Sequence, residues 1–321
     1  MAYVELHAHS AYSFLDGASL PEELAERAAE YGYPAFALTD HDNVCGAMEF
    51  ARACREAGIR PIVGSELTVV DERTRPERTR SGASGRRDFH LTVLAESPAG
   101  WRNLCRLLTE AHAGTRPQPD RDPLPPSLPL GSLLERNEGL VCLTGCAADG
   151  VAAGSWERGD PRAGAATCGR LRDGFGRDRL RIELQRPLWR RDRARNRWLV
   201  ALAERLGVAT VATGDVHAHD VARATLQDAF VAIRSHTTLE ESEPLRRGNG
   251  SSVLVPPEQM AERFAEHPEA VAETARLAER LRFDPADALG NRYPGSDDEE
   301  ADTTLAEICR GRLELRYAGT R

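Results

Sequence analysis

Seven short apolar runs, separated by stretches of helical periodicity, constrain this 321-residue chain more than any other feature. Tyr3–His7, Ala35–Thr39, Pro61–Val70, Phe89–Ala95, Gly139–Thr144, Leu180–Leu184 and Val208–Thr213 are rich in Val, Ile and Leu, as buried strands are. Between them lie Ala/Glu/Arg/Leu-rich segments such as Pro21–Tyr31 and Val44–Ala57. Leu20-Pro21-Glu22-Glu23 carries the proline and acids of a helix start, and Arg195–Leu206 runs into Gly207, the residue type that ends helices. Strands alternating with helices predict an α/β fold with parallel pairing, as a closed barrel or a doubly wound sheet. Asp71–Asp88 and the Pro-rich Gly114–Ser132 fit no regular element and are expected as exposed loops. Beyond Asp220 the strand signal fades and helices are expected over Ala222–Arg234, Pro257–Phe264 and Pro268–Leu281. An acidic run, Asp297–Asp302, and a short amphipathic piece ending at Arg321 follow.

Apolar residues make up 41% of the chain and charged residues 29%, enough for both a core and a solvated surface, which excludes wholesale disorder. No apolar run reaches the roughly 18–20 residues that span a bilayer. The N-terminus, Met1-Ala2-Tyr3-Val4-Glu5-Leu6-His7, has no basic start and no long apolar stretch, so no signal peptide is expected there. Seven cysteines, an odd number without close pairs, fit a reduced cytoplasmic protein with no membrane partner. A net charge of −8 argues against coating duplex nucleic acid, but not against a small phosphate-ester pocket whose positive charge comes from metal ions. All 42 basic residues are Arg, which excludes a lysine nucleophile.

Chemistry collects where the apolar runs end. His7-Ala8-His9 closes the first run, and residues i and i+2 of an extended chain point the same way. The second ends in Thr39-Asp40-His41-Asp42. The third carries Glu66 inside Ile62-Val63-Gly64-Ser65-Glu66-Leu67, and the fourth begins near Phe89-His90-Leu91. The fifth ends in Thr144-Gly145-Cys146 and the last in Gly214-Asp215-Val216-His217, again with i, i+2 spacing. Taken singly, Cys146 reads as a small buried hydrophobe, His90 as a core histidine and Asp16 as a turn former. Buried ionisable groups are costly unless paired or metal-bound, and barrel strands converge on one pocket. Together these residues predict a multinuclear metal centre.

Leu6-His7-Ala8-His9-Ser10, Tyr12-Ser13-Phe14-Leu15-Asp16-Gly17-Ala18, Leu38-Thr39-Asp40-His41-Asp42, Gly64-Ser65-Glu66 and His90-Leu91-Thr92-Val93-Leu94-Ala95 form a wider pattern with Thr144-Gly145-Cys146 and Gly214-Asp215-Val216-His217. It resembles the polymerase-and-histidinol-phosphatase (PHP) domain, and more narrowly the N-terminus of bacterial C-family DNA polymerase III alpha subunits. Glu183-Leu184-Gln185-Arg186-Pro187 and Ala218-His219-Asp220 lean toward the error-prone, damage-response branch. The resemblance covers about residues 2–317. It implies a distorted (β/α)7 TIM-like barrel with a helical C-terminal extension, and up to three divalent ions, Zn²⁺ or Mn²⁺ favoured over Mg²⁺. His7, His9, Glu66 and Asp215 would hold the first ion. Glu66 would share the second with His90 and Cys146, and Asp16, His41 and His217 would hold the third. All nine family ligand positions are filled by coordinating residues. Asp40, His41, Glu66 and Asp215 are the expected catalytic set, Asp40 and Asp42 chiefly by orienting His41. Arg186 and His219 are candidates for substrate contact, His219 equally for a solvent-facing helix start.

The domain division expected is a metal-dependent phosphoesterase over residues 1–284, including the helical extension from about 220, and a junction over 285–321 leading toward a polymerase region absent from this chain. Polymerisation is therefore not expected of the chain alone. A 3′–5′ exonuclease acting on a DNA 3′ end or a nucleotide phosphate is the leading expectation. The alternatives are a metal-stabilised structural module of the polymerase, or a free-standing histidinol-phosphatase-like or pyrophosphate-hydrolysing enzyme.

Overall fold

The structure, a computed structural model, describes residues 3–73, 77–78, 84–85, 88–116, 124–248, 250–288 and 298–317. Its strands are β1 (Ala35–Leu38), β2 (Arg60–Val70), β3 (Glu77–Arg78), β4 (Ser84–Gly85), β5 (Asp88–Ala95), β6 (Leu128–Pro129), β7 (Leu140–Leu143), β8 (Leu180–Gln185) and β9 (Ala209–Thr213). Its α-helices are α1 (Pro21–Glu30), α2 (Ala47–Glu56), α3 (Pro98–Ala111), α4 (Leu130–Glu135), α5 (Ala153–Glu157), α6 (Pro161–Phe175), α7 (Asp192–Leu206), α8 (Ala224–Arg234), α9 (Pro257–Arg263), α10 (Pro268–Arg280), α11 (Pro285–Ala288) and α12 (Asp298–Tyr317). The chain divides into two compact units, Met1–Ala286 and Asp287–Arg321. In the second, α12 is a 20-residue helix. No described helix is long and apolar enough to cross a membrane.

The main sheet runs β1-β2-β5-β7-β8-β9. The N-terminal segment joins its two edges, with Glu5 bridging Phe36 on one side and Ala8 bridging Val216 on the other. The sheet thus curls into a distorted barrel of seven segments, the α/β architecture expected. The first run is not a full strand, because it changes partner midway. The Glu5 carboxylate also takes the Leu6 and His7 amides at 3.1 and 3.0 Å, donors that a ladder would otherwise use.

The expected all-parallel pairing is corrected at one strand. β5 runs antiparallel to both β2 and β7, whereas β1–β2, β7–β8 and β8–β9 are parallel. The reason is the connection: Val70 of β2 pairs with Asp88 of β5, and the chain between them returns through the antiparallel β3–β4 pair instead of a crossover helix. The two expected loops accordingly hold short elements. β3 and β4 lie in the first, while β6, which pairs with the end of β2, and the start of α4 lie in the second. The rest of both loops falls partly outside the described residues.

Val4, Leu6, Ala37, Ile62, Leu94 and Val211 pack with Leu277 and Leu281 into a core to which the N-terminal segment, the strands and the α10 region all contribute. Polar contacts fix that helix against the barrel. The Val4 amide donates to Thr274 Oγ1 at 3.0 Å, and Arg181 pairs with Glu273 at 2.8 Å. Arg60 donates to the carbonyls of Ala278 and Leu281 at 2.6 and 2.8 Å, satisfying the open end of α10. Helix α10 is thereby part of the barrel unit.

Candidate metal centre

The strand ends deliver their ionisable side chains to one rim. His7 and His9 are held by Val216, which donates its amide to His7 O at 3.1 Å and accepts from the His9 amide at 2.7 Å. His41 follows β1 and bridges Glu66 of β2. Because β5 is antiparallel, its start lies beside the carboxyl ends of its neighbours, and His90 joins the group from there. Gly145 turns the chain after β7 at φ +83°. A Cβ on Gly145 would lie 2.2 Å from His90 O, so only glycine lets Cys146 approach.

Four candidate ligand residues surround one gap. His7 Nε2 lies 3.4 Å from Glu66 Oε1 and 3.7 Å from Asp215 Oδ1, and His9 Nε2 lies 3.7 and 3.6 Å from Glu66 Oε2 and Asp215 Oδ1. The Glu66 carboxylate also faces His41 Nδ1 at 2.8 Å and His90 Nδ1 at 3.4 Å, and Cys146 Sγ stands 4.0 Å from His90 Nδ1. Asp16 Oδ2 meets His41 Nε2 at 3.1 Å and His217 Nε2 at 3.0 Å. All nine expected ligands are therefore in one cluster.

Two observations test whether metal fits. Glu66 Oε1 and Asp215 Oδ1 are buried and accept no hydrogen bond, an expensive state for a carboxylate oxygen without a cation. Further, His7-His9-Glu66, His41-Glu66-His90, His90-Cys146-Asp149 and His9-His41-His217 each bring ligand atoms within 4.8 Å of one another. The donor set of imidazole, carboxylate and thiol suits divalent transition ions. The residues fit a metal centre.

A surrounding shell orients the imidazoles. His7 Nδ1 lies 2.6 Å from Glu183 Oε1, which also accepts from Gln185 Nε2 at 2.9 Å and from Thr213 Oγ1 at 2.5 Å. His9 Nδ1 lies 3.2 Å from Ser13 Oγ, and His217 Nδ1 donates to Asp215 O at 2.9 Å. In all three rings Nδ1 is occupied and Nε2 turns to the cluster. The Asp40 carboxylate accepts from the Ser10 amide and from the hydroxyls of Ser10 and Ser13. It therefore acts on the His9 ring through Ser13, whose Oγ also takes the His41 amide. Asp42 is held by Thr68, at 2.8 Å from its amide and 2.7 Å from its hydroxyl. Neither carboxylate hydrogen-bonds the His41 ring; Asp40 reaches the His41 backbone through Ser13.

Charge at the cluster follows from these contacts. Burial pulls His7 down, but Glu183 and Glu66 outweigh it and hold the ring well above its usual pKa. Burial together with His41 and His217 pushes His9 well below. Burial raises Glu66, yet His90, His41 and His7 overcome it and keep the carboxylate ionised. Burial and the carboxylates of Glu66 and Asp215 push the Cys146 thiol well up, so only a bound cation would make it a thiolate.

Sequence reasoning missed four residues. Arg247 reaches Asp215 Oδ2 at 3.0 Å, Asp16 Oδ2 at 3.5 Å and His217 Nε2, and Arg234 reaches Asp16 Oδ1 at 3.2 Å. Nothing distinguishes these two among 42 arginines. Asp149 follows Cys146 by one tight turn, its amide 3.4 Å from Cys146 Sγ. Glu183 carried the signal that singled out Glu66, a carboxylate inside an apolar strand. The two expected substrate residues make their contacts elsewhere. Arg186 donates to Arg263 O at 2.6 Å, and His219 Nδ1 lies 2.8 Å from Ser19 Oγ.

The sequence is similar to those of known proteins. Residues 5–187 match the family described as PHP domain. An error-prone DNA polymerase of Symbiobacterium thermophilum is 39% identical over 292 residues, 88% of this chain and 25% of that protein. An error-prone DNA polymerase of Mycobacterium tuberculosis is 41% identical over 286 residues, again 88% and 25%. A DNA polymerase III subunit alpha of Treponema pallidum is 35% identical over 283 residues, 87% of this chain and 23% of that protein. The chain spans about a quarter of the length of these relatives.

Proposed function

We propose, since this chain belongs to the PHP domain family, that it is the metal-dependent hydrolase portion of an error-prone-type DNA polymerase and cleaves phosphodiester bonds at a DNA 3′ end in the cytoplasm. Residues 285–321 would then begin the junction to the polymerase region. The observation that carries the reading is the pair of buried carboxylate oxygens, Glu66 Oε1 and Asp215 Oδ1, without a hydrogen bond in a ring of imidazoles.

His7, His9, Glu66 and Asp215 would hold one divalent ion, and Glu66, His90 and Cys146 a second. Bound there, such ions supply Lewis acidity toward a phosphoryl oxygen and a water of lowered pKa. Mixed nitrogen, oxygen and sulfur donors favour Zn²⁺ or Mn²⁺ over Mg²⁺, which prefers oxygen alone. Glu183, Ser13 and the Asp215 carbonyl hold the imidazoles of His7, His9 and His217 with Nε2 inward. Arg247 and Arg234 bring guanidinium groups to Asp16 at the edge of the cluster, where they would meet the non-bridging oxygens of a phosphate. Arg247 already spans Asp16, Asp215 and His217, so a third ion at Asp16, His41 and His217 requires it to move.

The test is release of nucleotides from a 3′-mismatched primer by protein loaded with Mn²⁺ or Zn²⁺, with His9→Ala as the control for contaminating nuclease. Release by the parent and none by the variant is expected. Metal-loaded protein that leaves every DNA end intact, while hydrolysing pyrophosphate or histidinol phosphate, would replace this reading with a small-molecule one.

A further inference from the structure

The cluster is not equally closed on all sides. His7, His9 and Glu66 are buried, whereas the side chains of His41 and His90 are 26% and 23% exposed. On the His41 side lies a cavity of about 680 Å³, within the roughly 300–1,000 Å³ of small-molecule sites. Tyr12, Phe14, Val44, Leu108 and Pro126 give it an apolar lining, and His41 and Asp42 belong both to its wall and to the strand end at the cluster.

Its walls are already held in place. Asn43 Nδ2 donates to the carbonyls of Tyr12 and His41 at 2.9 and 2.8 Å, and Tyr12 donates its hydroxyl to Glu49 at 2.8 Å. Opposite, His112 Nε2 meets Asp42 O at 2.7 Å and anchors the end of α3. Phe14 stands at the mouth with 74% of its surface exposed. Its ring meets Tyr12 edge-to-face at 6.4 Å and is not stacked on it. Leu15, at φ 60°, turns the chain from Phe14 directly into the candidate ligand Asp16. An exposed ring two residues from a candidate ligand of the metal cluster, at the mouth of an apolar cavity, fits a ligand that joins a flat aromatic group to a metal-binding phosphate.

We propose that this cavity is a nucleobase subsite, in which the terminal base of a single strand stacks on Phe14 while its phosphate lies at the cluster. The subsite rests on the hydrolase reading for the position of the phosphate. It adds that the substrate is recognised by its base, and that stacking makes the recognition tolerant of sequence.

The experiment uses the whole chain, metal-loaded, and a single-stranded oligonucleotide ending in 2-aminopurine through a phosphorothioate linkage that slows cleavage. Stacking quenches 2-aminopurine, so the parent protein should quench it. Phe14→Leu should lose the quenching and bind roughly 10- to 100-fold more weakly, and Phe14→Trp should restore both. A strand ending in an abasic sugar should bind the parent and Phe14→Leu equally. Phe14 is exposed, so both variants should keep the parent's melting temperature. Unchanged quenching and affinity in Phe14→Leu, or abasic and base-bearing ends bound alike by the parent, would overturn the subsite. Nucleotide release indifferent to Phe14 would also overturn it while leaving the hydrolase reading standing. Phe14-dependent quenching without any nucleotide release would keep the subsite and remove the hydrolase.

Discussion

At the scale of single residues, the side chains that touch no candidate ligand gap still decide how the ligands are presented. Glu183 accepts from the His7 ring, Gln185 and Thr213, so its carboxylate fixes which His7 nitrogen faces the cluster. Glu183→Gln keeps the shape but not the charge. Metal affinity should fall about 10- to 100-fold, read by competition against a chelating dye. Just past the end of β2, Asp71 shows the same principle in a structural role. Burial alone would raise its pKa, but hydrogen bonds from Arg170, the Arg73 amide and Thr167 outweigh that and hold it below the usual carboxylate range. A carboxyl lowered in the folded state stabilises above its unfolded pKa of about 3.9 and loses that contribution as pH falls through the folded value. Asp71→Asn should therefore cost about 1.5–3 kcal/mol at pH 7, with the gap to the parent closing below about pH 4. Urea midpoints at pH 7 and pH 3 measure it, and a gap of equal size at both would contradict the assignment.

At the scale of elements, three departures from regularity make the cluster. The first run pairs with β1 and then with Val216, whose backbone hydrogen bonds hold His7 and His9 on either side of the Ala8 bridge. The antiparallel β5 places His90 at the rim from the start of a strand, where a parallel β5 would have put its end. The turn from Ser10 to Gly17 is the third such device, since it carries Asp16. A Cβ on Gly17 would lie 1.9 Å from Ser10 O, a backbone atom that cannot swing aside. Gly17→Ala should open the turn, cost about 1–3 kcal/mol and weaken metal binding. Denaturant unfolding and metal titration of the same preparation would show both losses together. A variant as stable as the parent and equally metal-loaded would mean that the turn relaxes freely.

At the scale of the whole molecule, a cluster with two buried carboxylate oxygens that accept no hydrogen bond should depend on metal for stability. An ion present at 100 times its dissociation constant adds about 2.7 kcal/mol to the folded state, roughly 4–5 °C of melting temperature for a unit of this size. Chelation should remove that increment and His9→Ala should abolish its metal dependence, both read by thermal unfolding. Metal content should also fall with acid, because the imidazoles bind ions only when neutral.

Much of this was legible in the residues themselves. The alternation of apolar and helical stretches determined an α/β fold, since period and length are local properties, and left barrel and doubly wound sheet open until the motif resemblance favoured the barrel. The types and spacings of His7, His9, His41, Glu66, Asp215 and His217 marked a cluster able to hold metal, since a strand end presents i and i+2 together. Tertiary structure alone decided the direction of β5, which depends on a connection lacking a helical signal. It also decided which carboxylate orients which imidazole, and which of 42 arginines face the cluster. Those contacts join residues up to 231 positions apart, and only packing in three dimensions selects among so many equivalent partners.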